Sequence, residues 1–181
     1  MKEIRFHGRG GQGVVTAAEL LGRAATLDNK YAQSMPSFGA ERRGAPVAAF
    51  TRVDSDPIRI KCQVYEPDIV VVLDPALWGS ANMLEGLKKD GVLITNSAGM
   101  PKSIGDDLAK RTTAIDATSI ALDIIGRPIT NTVILGALLA VTNIVSMGAL
   151  EQAVREAFPP KVAEANVKAI RAAYEQVSGG K

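Results

Sequence analysis

Glu3-Ile4-Arg5-Phe6-His7-Gly8-Arg9-Gly10-Gly11-Gln12-Gly13 carries the densest structural signal in the chain. Residues 3–7 alternate apolar and polar, the period of a β-strand with one buried face. Gly8, Gly10 and Gly13 then satisfy a G-x-G-x-x-G spacing. Glycine permits tight turns and lets the backbone approach a ligand or another chain closely. Beyond them, residues 12–27 place Val15, Ala18, Leu20, Leu21 and Ala25 near helical spacing. The unit therefore reads as strand, glycine turn and helix. The start of that helix offers free N–H groups and a positive dipole end to an anion.

Working outward, strand signals fall at 31–34, 47–53, 69–73, 92–95 and 113–116. The run Ile69-Val70-Val71-Val72-Leu73 is continuously apolar, the habit of a central strand buried on both faces of a parallel sheet. Helices are predicted at 80–89, 118–125, 131–143, 149–158 and 161–177. Gly91 stops the first of these, Thr130 or Asn131 caps the third, and Pro159-Pro160 breaks the last two apart. Alternating strands and helices argue for a single α/β domain over residues 1–177, a Rossmann-like, mostly parallel sheet flanked by helices. Residues 178–181 read as a frayed tail. Beyond the short strand signal at its start, the stretch 31–46 holds Pro36, Gly39, Gly44 and Pro46 and reads as a long loop, a feature that is usually functional.

Composition narrows the function. The chain has 181 residues, 46% of them hydrophobic, enough for a real core. Its longest apolar stretch, near 133–141, falls well short of the ~20 residues that span a bilayer. The charged start, Met1-Lys2-Glu3-Ile4-Arg5, carries no apolar signal region, so the expected compartment is the cytoplasm. With one cysteine and one histidine, the sequence lacks the four thiolates of an iron–sulfur cluster and the usual zinc ligands. Basic residues gather in the first third, at Arg5, Arg9, Arg23, Arg42, Arg43, Arg52, Arg59 and Lys61. This is either a solvated surface or a face toward an anion such as a phosphate-bearing cofactor. Nucleic acid is disfavoured, because the imbalance is mild and aromatics are 4%.

A dinucleotide site needs an acid ~20 residues after the glycines, at the end of the second strand, to hold a ribose. Asp28 is the nearest, but it precedes the strand signal at 31–34, which ends in Gln33-Ser34. Nor is this a P-loop, since Val14 rather than Lys follows Gly13.

Longer stretches carry a resemblance. They are F-H-G-R-G-G-Q-G-V-V-T-A-A-E-L-L (6–21), S-M-P-S-F-G-A-E-R-R-G-A-P-V (34–47) and I-T-N-T-V-I-L-G-A-L (129–138), with Y-E-P-D-I-V-V-V-L-D-P (65–75) between them. Together they resemble the gamma subunits of pyruvate:ferredoxin oxidoreductases, within the 2-oxoacid:ferredoxin oxidoreductase family. The resemblance implies a complex that converts a 2-oxoacid, CoA and oxidised ferredoxin to acyl-CoA, carbon dioxide and reduced ferredoxin. Thiamine diphosphate with Mg and [4Fe–4S] clusters would sit in alpha, beta and delta-type partner subunits. This chain would bind no cofactor alone and would serve as a docking subunit that helps place CoA. Gly105-Asp106-Asp107 lacks the second glycine of a thiamine G-D-G motif. The alternative is a free-standing Rossmann-type nucleotide-binding oxidoreductase.

The candidate contact residues, for CoA or a partner subunit, are Gly8, Arg9, Gly10, Gly11, Gln12, Gly13, Arg42 and Arg43. Arginine binds phosphate or carboxylate bidentately, and an internal clamp of Arg42 or Arg43 with Glu41 or Asp74 is the competing reading. His7 reads as a structural group, Asp74-Pro75 as a turn, and Cys62 as a packed thiol.

Overall fold

A computed structural model describes residues 1–37, 44–78, 83–102 and 104–179. The strands are β1 (Lys2–Arg9), β2 (Tyr31–Ser37), β3 (Pro46–Asp54), β4 (Ile69–Val72), β5 (Val92–Asn96) and β6 (Thr112–Ile115). They form one sheet in the order β2-β3-β1-β4-β5-β6. β1, β4, β5 and β6 run parallel. β3 lies antiparallel to β1 and also to β2. The expected α/β architecture is present, with β3 inserted where a Rossmann unit would place its second parallel strand. The loop expected over 31–46 is strand at both ends: its first seven residues are β2 and its last begins β3, while 38–43 lie outside the described residues.

The helices are α1 (Val14–Leu27), α2 (Asp106–Ala109), α3 (Ala117–Ile125), α4 (Thr130–Thr142), α5 (Met147–Ala157) and α6 (Pro160–Gly179). Side chains alternate across a strand, so Ile4 and Phe6 share one face with Ile69, Val71 and Ile94. That face meets buried residues of α1, α3, α4, α5 and α6 in one apolar cluster. α4 lies in its middle and is apolar almost all round, the pattern of an enclosed helix. Gly136 lets α6 come close, since a Cβ there would lie 2.1 Å from the Ile170 carbonyl oxygen. Thr132 on α4 adds a 2.5 Å hydrogen bond to Asn166 on α6. α6 continues two residues past position 177.

The opposite face is covered differently. Val70, Val72 and Leu93 pack under Leu77, Trp78, Met83, Leu84 and Leu87, with Leu108 of the four-residue α2. The helix predicted over 80–89 does not form in its described part: residues 83–86 are turns and 87–89 have no helix. Gly86 has φ +72, and a Cβ there would lie 2.0 Å from the Tyr65 carbonyl oxygen. Close packing on the loop before β4 thus overrides the local helical pattern.

Two buried arginines anchor this face. Arg5 donates to the carbonyls of Met83 (2.9 Å) and Glu85 (2.5 Å). Arg52 is 2% exposed and reaches Glu3 (2.8 Å), Gln33 (3.1 Å) and the carbonyls of Cys62 (2.7 Å) and Gln63 (3.1 Å). Part of the basic excess of the first third is therefore internal scaffolding. Cys62, expected to be packed, is exposed. Its backbone carbonyl, rather than its thiol, is the tightly held group.

Candidate functional site

Chain order reverses about β1. The chain leaves it toward β2 and β3 on one side, and β4 returns on the other. In open α/β sheets such a switch point, at the carboxyl ends of the strands, is where ligands bind. Here it brings together the end of β1, the glycine turn, the start of α1 and Asp74 after β4.

The turn is built by its glycines and one amide. Gly11 (φ +94) and Gly13 (φ +74) hold backbone conformations that disfavour other residues. A Cβ on Gly8 would lie 2.5 Å from Val14 Cγ2, so glycine is needed for α1 to seat against β1. Gly10 donates to the Ala45 carbonyl at 2.9 Å, tying the turn to the entry of β3. The first backbone bond into α1 runs from Ala17 to the Gly13 carbonyl, 2.9 Å. The amides of Val14, Val15 and Thr16 therefore precede the helical ladder and carry the positive end of α1. Among the described residues no atom would lie within 4 Å of a Cβ on Gly11, so the backbone there is open on that side.

Gln12 is an internal brace. Its Oε1 accepts from the Arg9 backbone N–H at 2.7 Å, and its Nε2 donates to Asp74 Oδ2 at 2.8 Å. Asp74 Oδ1 accepts from the Ala76 amide at 2.8 Å, so the expected turn exists and caps a short 3-10 helix, Pro75–Leu77. Arg9 Nε lies 3.1 Å from Asp74 Oδ2 but is not aligned as a hydrogen bond.

Thr130 or Asn131 was expected to cap α4. Instead Ile129 holds the cap position without a side-chain cap, and Asn131 lies inside the first turn. It is 6% exposed and points Nδ2 at the Gly13 carbonyl, 3.4 Å away, while Oδ1 is buried without a partner among the described residues. A Cβ on Gly13 would lie 2.3 Å from Asn131 Nδ2. The starts of α1 and α4 therefore converge on the glycine turn. This contact joins residues 118 apart in sequence, and the only advance signal was a polar residue opening an apolar helix.

His7 sits on the other face of β1. Burial, then the positive charge of Arg5, push its pKa from 6.5 down to about 4, with a Met83 backbone hydrogen bond opposing them. Its Nε2 is buried without a partner among the described residues. The ring is a neutral structural group at physiological pH, as expected for a lone histidine here. Arg42 and Arg43 lie outside the described residues, as does Glu41. Asp28, the nearest acid to a ribose position, accepts from the Ser146 backbone (2.5 Å) and hydroxyl (2.6 Å), which secures the start of α5.

The model of the pyruvate ferredoxin/flavodoxin oxidoreductase family matches residues 3–176. The chain belongs to this family. It is 54% identical over 177 residues to the pyruvate synthase subunit PorC of Methanothermobacter thermautotrophicus, covering 98% of this chain and 96% of that one. It is 51% identical over 179 residues to the pyruvate/ketoisovalerate oxidoreductases common subunit gamma of Pyrococcus furiosus, covering 97% of each. Among solved structures, the pyruvate oxidoreductase subunit PORC of Thermotoga maritima superposes with a TM-score of 0.81 at 40% identity, covering 96% of this chain and 95% of that one.

Proposed function

We propose that this chain is the gamma-type subunit of a pyruvate:ferredoxin oxidoreductase, docking with alpha, beta and delta-type subunits and placing an anionic part of CoA at its glycine turn. The complex oxidatively decarboxylates pyruvate to acetyl-CoA and reduces ferredoxin. Near-full-length similarity to subunits of such enzymes supports the assignment. On this reading thiamine diphosphate, Mg and the clusters are held by the partners; for the clusters, the support is that one cysteine cannot ligate a four-iron cluster.

The observation that carries the CoA reading is the switch-point turn. It offers the first amides of α1, which precede the helical ladder, a Gly11 backbone open among the described residues, and the partly exposed cation of Arg9. These donors suit a phosphate or pyrophosphate group. A free-standing Rossmann oxidoreductase fits less well. β3 occupies the place of the second parallel strand, and Asp28 is committed to Ser146.

The test is to purify the tagged chain from anaerobically grown native host and identify what accompanies it. Thiamine-binding and cysteine-rich subunits, with pyruvate- and CoA-dependent ferredoxin reduction, are expected. A chain recovered alone and loaded with NAD(H), NADP(H) or FAD would overturn the assignment.

A further inference from the structure

Asp74 meets Arg9, Gln12 and Ala76 at one carboxylate. Gln12 uses both ends of its amide inside the protein, so it braces the turn and leaves ligand contact to others. Arg9 is the loosest member. Its side chain is 40% exposed, against 13% for Asp74. Its Nε is the nitrogen nearest the carboxylate, and its two terminal nitrogens make no hydrogen bond among the described residues. A guanidinium is a planar fork of five donors, so one edge can rest on a carboxylate while another grips an anion.

We propose that Arg9 grips the phosphate or pyrophosphate group of the ligand, and that Asp74, braced by Gln12, is the positioning residue that aims it. This rests on the proposed CoA reading and deepens it. The Gln12–Asp74 bond fixes the carboxylate, and the carboxylate holds the stem side of the guanidinium beside the helix amides. Without that tether, Arg9 would lose orientational freedom on binding that it now lacks beforehand. A purely structural clamp would already be complete with Gln12 and Ala76, and would leave Arg9 irrelevant to CoA.

The experiment uses the assembled oxidoreductase carrying Arg9→Ala, Arg9→Lys, Asp74→Asn, Asp74→Ser or the double change Arg9→Ala/Asp74→Asn. Both Asp74 changes retain an oxygen able to cap Ala76. The KM values for CoA and pyruvate and the kcat are measured for each. Arg9→Ala is expected to raise the KM for CoA about tenfold or more, with the KM for pyruvate unchanged. Arg9→Lys restores little of it, because an ammonium lacks the fork. Asp74→Asn and Asp74→Ser are expected to raise the KM for CoA about threefold, the scale of a part-exposed ion pair. The double change should equal Arg9→Ala alone, because Asp74 acts through Arg9. Fully additive effects, or Asp74 changes that leave this KM untouched while Arg9→Ala raises it, would overturn the positioning role and leave the CoA reading standing. An unchanged KM for CoA in every assembled variant would overturn both.

Discussion

Both faces of the sheet are buried, but by opposite means. The helix-covered face is mostly apolar, from Ile4 and Phe6 to Ile94 and Ile115, with Thr51 and Asn96 as buried, hydrogen-bonded exceptions, and meets helices whose spacing repeats regularly. The other face buries Arg5 and Arg52, with the half-buried His7, beneath irregular chain and meets the arginines with carbonyl oxygens and Glu3, leaving Arg5 Nε without a hydrogen bond among the described residues. Hydrophobic burial is non-directional, so the first face tolerates many arrangements of similar volume. Buried polar groups are directional and costly when a partner is lost, so the second face depends on a few contacts.

The contrast makes Arg52 the most sensitive position. Arg52→Met should destabilise the chain by about 3–5 kcal/mol, because Glu3 and two carbonyls lose their buried donor. Urea unfolding measures this, and a loss below about 1 kcal/mol would erase the contrast. Acid comes next. The folded pKa of His7 is depressed to about 4, so between pH 6.5 and about 4 the unfolded chain binds a proton that the fold refuses. Stability therefore falls as pH drops through that window. His7 should account for about 2–3 kcal/mol of the loss at pH 4.5. His7→Gln should remove that share of the pH dependence in parallel unfolding curves. The helix face is expected to give the smallest effect. Gly136→Ala should cost about 2 kcal/mol from overpacking against α6. A cost as large as that of Arg52→Met would show that the apolar face is the less forgiving one.

The same division explains what could be read from the sequence. Periodicity identified β1, the start of α1 and the enclosed α4, because their burial repeats at regular intervals. It missed the neighbour relation of β3 and β1, since an alternating strand carries its own pattern but not the identity of its partner. It placed a helix at 80–89 where Gly86 packs on the Tyr65 carbonyl, a contact visible only after folding. At the candidate site, the glycine turn and Arg9 were legible from spacing. Gln12, expected at a CoA or subunit contact, bonds to Arg9 and Asp74 within the chain, and Asp74 was read as a turn and also meets Gln12 and Arg9. Asn131 read as a cap because helix starts favour such residues, yet Gly13 claims its side chain across 118 positions.

The central claim is that the glycine turn of the assembled oxidoreductase receives an anionic part of CoA. The most direct measurement is amide hydrogen exchange of this chain within the complex, with and without saturating CoA. Slower exchange is expected at Gly11, Gly13, Val14, Val15 and Thr16, with no change in the already protected β4 strand. Unchanged exchange across residues 9–16 in a complex that still turns over CoA would contradict the claim.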